Sequence, residues 1–280
     1  MSVAAVESVV ADGAGGGAAV RRPPAAGLQA PPLVIQGVSK RFGALVALEG
    51  IDVSVDAGSV VGLVGPNGSG KTTLLRSTAG LVSIDSGSIG IAGAPAGSRP
   101  ARAATALVPD EPTGYDELTC AEFVALSHAL WGVDERASAR SDALSQAFGL
   151  GDRLEQRVGT LSRGVRRQVS VVAALSLGTP LVLVDEATAA LDPEAVVVLD
   201  EALAALAAQG SAVLLATQDL HFAGAVCDEI VLLHRGTVID RGAPVTLCAR
   251  HGTDSLEDVF LAALGDGSLR SRVRESFRAL

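Results

Sequence analysis

Lysine is nearly absent from this sequence. Of the 22 basic residues in the 280-residue chain, 20 are Arg and only two, Lys40 and Lys71, are Lys. Lys is a compact point charge on a flexible stem and Arg a rigid planar fork, so a position that keeps Lys here raises the question of what it holds. Cysteine is scarce too: Cys120, Cys227 and Cys248 are odd in number, scattered, and form no C-x-x-C pair. That excludes a disulfide framework and a zinc site and fits a reducing, cytosolic compartment. No run of 18 uncharged apolar residues occurs, so no membrane-crossing helix is expected. Acidic residues outnumber basic ones, 31 to 22, for a net charge of −9. This argues against broad nucleic-acid binding, which favours a basic face. Arg21-Arg22 run into Pro23-Pro24 rather than an apolar stretch, so no secretion signal is expected.

Apolar residues make up 48% of the chain, enough for one large core or a domain with a subdomain. Residues 1–32 are Ala/Gly/Pro-rich and are expected to be disordered, because they cannot bury enough apolar surface to offset ordering entropy. From Leu33 onward the texture is that of a folded domain, 33–250. Strands are expected at Leu33–Val38, Ile51–Val55, Val60–Val64, 88–91, 104–108, Leu181–Val184, Ala212–Thr217 and Ile230–His234. Helices are expected at Leu74–Ala79, Thr119–Leu130, Arg136–Phe148, Arg166–Leu177 and Pro193–Gln209. The pattern is an α/β core with a helical insertion at about 117–178. Residues 251–280 read as a helical tail broken at Gly265–Gly267.

One motif carries chemistry. Gly65-Pro66-Asn67-Gly68-Ser69-Gly70-Lys71-Thr72-Thr73 matches G-x-x-x-x-G-K-[ST] and sits between a strand and a helix, the context a phosphate loop requires. The glycines let the backbone curl so that successive N–H groups point at phosphates, and the helix adds its positive end. Lys71 reaches the β- and γ-phosphates, and the Thr72 hydroxyl ligates Mg²⁺. Downstream, Leu181–Val184 ends in Asp185-Glu186. An Asp at such a strand end holds Mg²⁺, and the adjacent Glu can polarise an attacking water.

With these motifs the chain, over about 33–245, resembles the ATP-binding subunits of ABC transporters. Leu161-Ser162-Arg163-Gly164-Val165, 24 residues ahead of Asp185, is similar to the family's LSGGQ signature, and Ala189-Ala190-Leu191-Asp192 to its D-loop. Phe42 stands where the family places an aromatic that stacks on adenine; the alternative is a packed core Phe. Lys40 is read as a solvated neighbour. The resemblance implies a P-loop NTPase (RecA-like) core with an antiparallel β subdomain and a helical subdomain insertion. It implies ATP and Mg²⁺ as cofactors and catalytic roles for Lys71, Glu186 and the residue at 218. It further implies two subunits, alike or different, that sandwich ATP, with Ser162 and Gly164 of one facing the γ-phosphate held by the other. The partner is a separate transmembrane permease, the location the inner face of the cell membrane.

Three positions depart from the family pattern. Arg163 and Val165 replace Gly and Gln of the signature. Asp110, in Val108-Pro109-Asp110-Glu111-Pro112, replaces the Q-loop Gln; an Asp there can still approach Mg²⁺ or its water. Gln218 replaces the switch His and can donate a hydrogen bond but not a positive charge. His221, three residues on, is read mainly as a helix-face residue, and His128, His234 and His251 as single residues without partners. The segment Val108–Thr119 resembles exporters paired with ABC-2-type permeases. Two further readings stay open: a degenerate regulatory subunit paired with a competent homologue, and a soluble ABC ATPase of translation or DNA repair.

Overall fold

The computed structural model describes residues 31–111, 115–133 and 135–264. The expected N-terminal tail up to residue 30 and the break at Gly265–Gly267 lie outside them. Pro32 accepts a hydrogen bond from the Ala92 N–H at 2.8 Å.

An antiparallel sheet comes first. β1 (Leu33–Phe42) pairs with β2 (Leu45–Val55) on one side and, later in the chain, with β4 (Ser86–Ile91) and its short partner β5 (Ala94–Pro95), in the order β2-β1-β4-β5. Ile51, Val53 and Val55 are buried while Asp52 and Ser54 are exposed, the period-two alternation of a sheet with one wet face. β1 runs four residues beyond the expected Val38. Its register shifts at bulges between Ile35 and Arg41, which breaks the alternation that marks a strand in sequence.

The second sheet is the core. β3 (Val60–Val64), β6 (Thr105–Val108), β7 (Leu181–Asp185), β8 (Ala212–Thr217), β9 (Glu229–His234) and β10 (Thr237–Gly242) lie in the order β10-β9-β3-β8-β7-β6, parallel except for β10. β3, β7 and β8 are buried at every residue, as parallel strands covered on both faces must be. β10 is half-buried and polar, so no apolar pattern announced it. Parallel pairing in register sets Val64 beside Thr217 and Asp185 beside Ala216. The three strands therefore end together, and the chemistry-bearing loops leave from one edge.

Helices α1 (Lys71–Thr78) and α2 (Arg99–Ala103) follow β3 and β5. The insertion comprises α3 (Cys120–Trp131), α4 (Glu135–Ala147) and α5 (Arg163–Leu175). A capping box, Thr119 with Glu122, starts α3. Three polar contacts tie the insertion together and to the core. His128 Nε2 is 2.8 Å from Ser176 Oγ, Arg140 Nε donates to the Ser176 carbonyl at 2.8 Å, and Trp131 Nε1 donates to the Thr105 carbonyl at 3.0 Å. His128 thus has a partner, contrary to the sequence expectation. The same holds for His251, 2.6 Å from Asp240 Oδ2, and for His234, edge-on to Phe260 at 6.3 Å. Their partners lie on other elements or at longer range, where spacing gives no sign of them.

The last helices among the described residues are α6 (Pro193–Ala208), α7 (Leu220–Val226), α8 (Pro244–His251) and α9 (Leu256–Ala263). Leu247, Leu256 and Val259 belong to the same apolar cluster as the central strands, so these last helices are docked on the core. No helix among the described residues is long and apolar enough to cross a membrane.

Leu199 is fully buried on the α6 face of that cluster. Leu199→Ala is expected to lower the unfolding free energy by about 2–5 kcal/mol, read from the shift in denaturant midpoint. A change within experimental error would show that this face does not pack against the sheet.

Candidate functional site

The common edge of β3, β8 and β7 gathers most of the residues the sequence singled out. Gly65 leaves β3, and the loop to Lys71 turns back over it. Gly70 sits at φ +110°, and a Cβ there would lie 2.5 Å from the Ala47 carbonyl of β2, so only glycine fits. Pro66, Asn67 and Gly68 are exposed, while Ser69 is 2% exposed. The Lys71 ammonium is buried; it donates to the Gly65 carbonyl at 2.7 Å and the Pro66 carbonyl at 3.3 Å, and lies 3.3 Å from Glu186 Oε1. Thr73 lies half-buried two residues into α1.

Two observations concern what the loop holds. Ser69 Oγ is buried with no hydrogen-bond partner among the described residues. An unpaired buried hydroxyl in a curled glycine loop fits donation to an acceptor such as a phosphate oxygen. Thr72 Oγ1 donates to Asp185 Oδ1 at 3.2 Å, so two of the three candidate metal ligands already face each other, while the third, Asp110, is ion-paired to Arg167. Burial pushes the Asp185 carboxyl up to about 6; the Thr72 hydroxyl opposes this, and the charges of Asp110 and Glu186 add to it. A buried carboxylate beside two others is a site that a cation relieves. No group of three or more His, Cys, Asp or Glu suited to a metal occurs among the described residues. Two oxygen ligands suit Mg²⁺, which keeps several waters, better than zinc or calcium.

Glu186 is a strained residue of the site. Its φ of +46° lies in the left-handed region, at a cost on the order of 1–3 kcal/mol. Its carboxylate is aimed by Lys71, by the Gln218 backbone N–H at 3.3 Å and by Thr217 Oγ1 at 3.5 Å. Strain kept by surrounding contacts marks functional positions. Thr217 was not foreseen: nothing in its sequence neighbourhood distinguishes it from any residue ending an apolar strand.

The remaining candidates lie around this centre. Ser162 caps α5 by accepting the Val165 N–H at 3.3 Å, and both Ser162 and Arg163 are exposed. Gly164 has its own constraint, because a Cβ there would lie 2.6 Å from the Ala190 carbonyl of the D-loop segment. Asp192 caps α6, accepting the Ala195 N–H at 2.8 Å. Asp110 is ion-paired to Arg167 at 3.5 Å. Phe42 is half exposed at the β1–β2 turn, which rules out the packed-core alternative. Lys40 is not the solvated neighbour expected. It is 9% exposed, its ammonium is 2.9 Å from Asp85 Oδ1, and it lies 5.3 Å over the Phe42 ring. Asp85 is 45 residues away in sequence, and that separation hid the pair.

A glycine loop closing on a buried lysine, with a hydroxyl, an Asp and a Glu at neighbouring strand ends, defines a P-loop nucleoside-triphosphate-binding protein. The comparisons narrow this class. A model of the ABC transporter family matches residues 48–189. The chain is 34% identical over 247 residues to the doxorubicin resistance ATP-binding protein DrrA of Mycobacterium tuberculosis, covering 83% of this chain and 75% of that one. It is 33% identical over 230 residues to the Nod factor export ATP-binding protein I of Burkholderia lata, covering 81% and 76%. A solved ATP-binding subunit of an ABC transporter superposes with a TM-score of 0.79 at 32% identity, over 83% of this chain and 99% of that one. The chain belongs to the ABC transporter family, as an ATP-binding subunit.

The raised Asp185 sets a sign for pH dependence. A carboxyl whose folded pKa lies above its unfolded value favours folding below about pH 4, and that contribution is lost as pH rises to about 6. Asp185→Asn is therefore expected to raise the melting temperature of the nucleotide-free chain at pH 7.5, with the gain vanishing toward pH 4. Thermal unfolding across that range checks it; a gain independent of pH would contradict the burial account.

Proposed function

We propose that this chain hydrolyses ATP to power an exporter whose transmembrane permease is a separate chain. The observation that carries this is the intact set Lys71, Thr72, Asp185 and Glu186, with Glu186 held in a strained, aimed conformation. The exporter reading draws on relatives named for Nod factor export and doxorubicin resistance, and the substrate class is left to the permease.

The loop N–H groups and the α1 N-terminus bind the triphosphate, and the Ser69 hydroxyl is free to join them. The Lys71 ammonium now pairs with Glu186 and donates to two carbonyls; turned toward a γ-phosphate it leaves Glu186 free to accept a proton from water. Thr72 and Asp185 would hold Mg²⁺, which when bound would supply charge neutralisation to the phosphates. The exposed Phe42 ring offers a face to adenine. Gln218, whose backbone already holds Glu186, offers an amide to the γ-phosphate; lacking the charge of an imidazolium, it makes for slow turnover. Ser162 at the tip of α5 is exposed and sited to meet the nucleotide of a second subunit across a dimer that ATP closes. The helical insertion faces the permease at the inner side of the membrane.

The degenerate regulatory alternative rests on Asp110, Arg163 and Gln218 departing together. Hydrolysis by the purified complex decides. Glu186→Gln is expected to lower turnover about 10²–10⁴-fold while ATP binding persists. A wild-type complex that binds but does not hydrolyse ATP would favour the regulatory role. Gln218→His is expected to raise turnover severalfold; a fall would show that Gln218 is matched to its surroundings.

A further inference from the structure

Beside the proposed Mg²⁺ site stands a charged residue that no step above uses. Arg167, in the second turn of α5, is 1% exposed. One terminal nitrogen of its guanidinium donates to the Pro109 carbonyl and the other to the Asp110 carbonyl. The second also lies 3.5 Å from Asp110 Oδ1. Its Nε has no hydrogen-bond partner among the described residues. A buried guanidinium is thus committed to one short stretch of backbone and to the carboxylate it carries. β6 and β7 pair in register, Val108 beside Val184, so Asp110 leaves the sheet next to the strand end that carries Asp185. The charge of Asp110 helps to raise Asp185.

The chemistry of position 110 explains the arrangement. An amide there would need no counter-charge. A carboxylate beside Asp185 and Glu186 adds a third negative charge where phosphates are to bind, unless a cation offsets it. Arg167, itself buried, offsets it through their ion pair. The fork also grips two consecutive carbonyls, which an ammonium on a single stem cannot reproduce.

We propose that Arg167 is a positioning residue that fixes Asp110 beside the Mg²⁺ site and couples the helix beginning at the signature to that site. The proposal rests on the reading of Thr72 and Asp185 as the metal ligands. The α5 N-terminus and the 109–110 loop then move as one body, because sliding one past the other breaks three contacts to a buried charge. The guanidinium's hydrogen bonds and its ion pair go to residues 109 and 110, so Arg167 acts through Asp110.

The test uses the full chain with ATP at fixed concentration, titrated with Mg²⁺, and ATP binding as the readout. Thermal unfolding without nucleotide is measured in parallel. Arg167→Gln is expected to raise the Mg²⁺ concentration for half-maximal ATP binding roughly tenfold, the scale of outer-shell partners of metal ligands. Arg167→Lys, which keeps the charge and folds more readily, is expected to show a shift of the same sign. Asp110→Gln removes the charge to be offset, so the Arg167→Gln/Asp110→Gln double variant should lose less than the product of the single effects. A lowered melting temperature with unchanged Mg²⁺ dependence in both Arg167 variants would overturn the proposal, as would single effects that multiply. If the wild-type chain binds ATP without any dependence on Mg²⁺, the metal reading itself fails, and the coupling with it. If wild type depends on Mg²⁺ and the variants do not differ from it, the coupling alone fails.

Discussion

A buried ammonium needs partners, and the partners of Lys71 organise the site. Taking a charge out of water costs several kcal/mol unless hydrogen bonds and an opposite charge replace the hydration shell. Here the Gly65 and Pro66 carbonyls curl to meet it from one side and Glu186 from the other. The loop must therefore turn tightly, which calls for glycine at 70, and β7 must end level with β3, which the shared register with β8 provides. A guanidinium is wider and planar and does not fit a pocket shaped for a slim head on a flexible stem. In a chain that otherwise uses Arg almost throughout, this is a physical reason for the retained Lys71.

Much of this was legible before any coordinates. The central strands are short, fully buried and β-branched or leucine-rich, so they announce themselves as apolar runs between turns. The phosphate loop and the Asp185-Glu186 pair are contiguous motifs, and contiguity is what sequence displays best. Elements with mixed faces were less visible. β10 has no apolar run, and the bulges of β1 interrupt its alternation. The partners of Lys40, His251 and Arg167 come from other elements, so chemistry that depends on tertiary approach stayed hidden. Arg167 was further masked by its setting, since a third Arg in an Arg-rich helix carries little signal.

The departures from the family pattern are not alike in their surroundings. Asp110 is answered by a buried partner, and the backbone of Gln218 holds Glu186. Arg163 projects from the exposed tip of α5, and nothing among the described residues explains it. Gly164, by contrast, is constrained twice over: by its place in the signature and by the Ala190 carbonyl that leaves no room for a Cβ. Retention of that glycine is thus accounted for by packing within one subunit, without any contact to a second.

The order of strands in the core sheet bears on how the chain is made. β3, which delivers the phosphate loop, pairs only with β8 and β9, both from the last third of the described chain. Its first amide donates to Asp228, 168 residues away, and the Ser69 carbonyl accepts from Gly236. During synthesis the loop motif therefore leaves the ribosome long before its neighbours exist. Until then β3 is an unpaired apolar strand, the kind of segment on which aggregation starts and chaperones act. The phosphate loop is made well before the strands that flank it, so a nascent chain cannot complete its nucleotide site until β8 and β9 have followed.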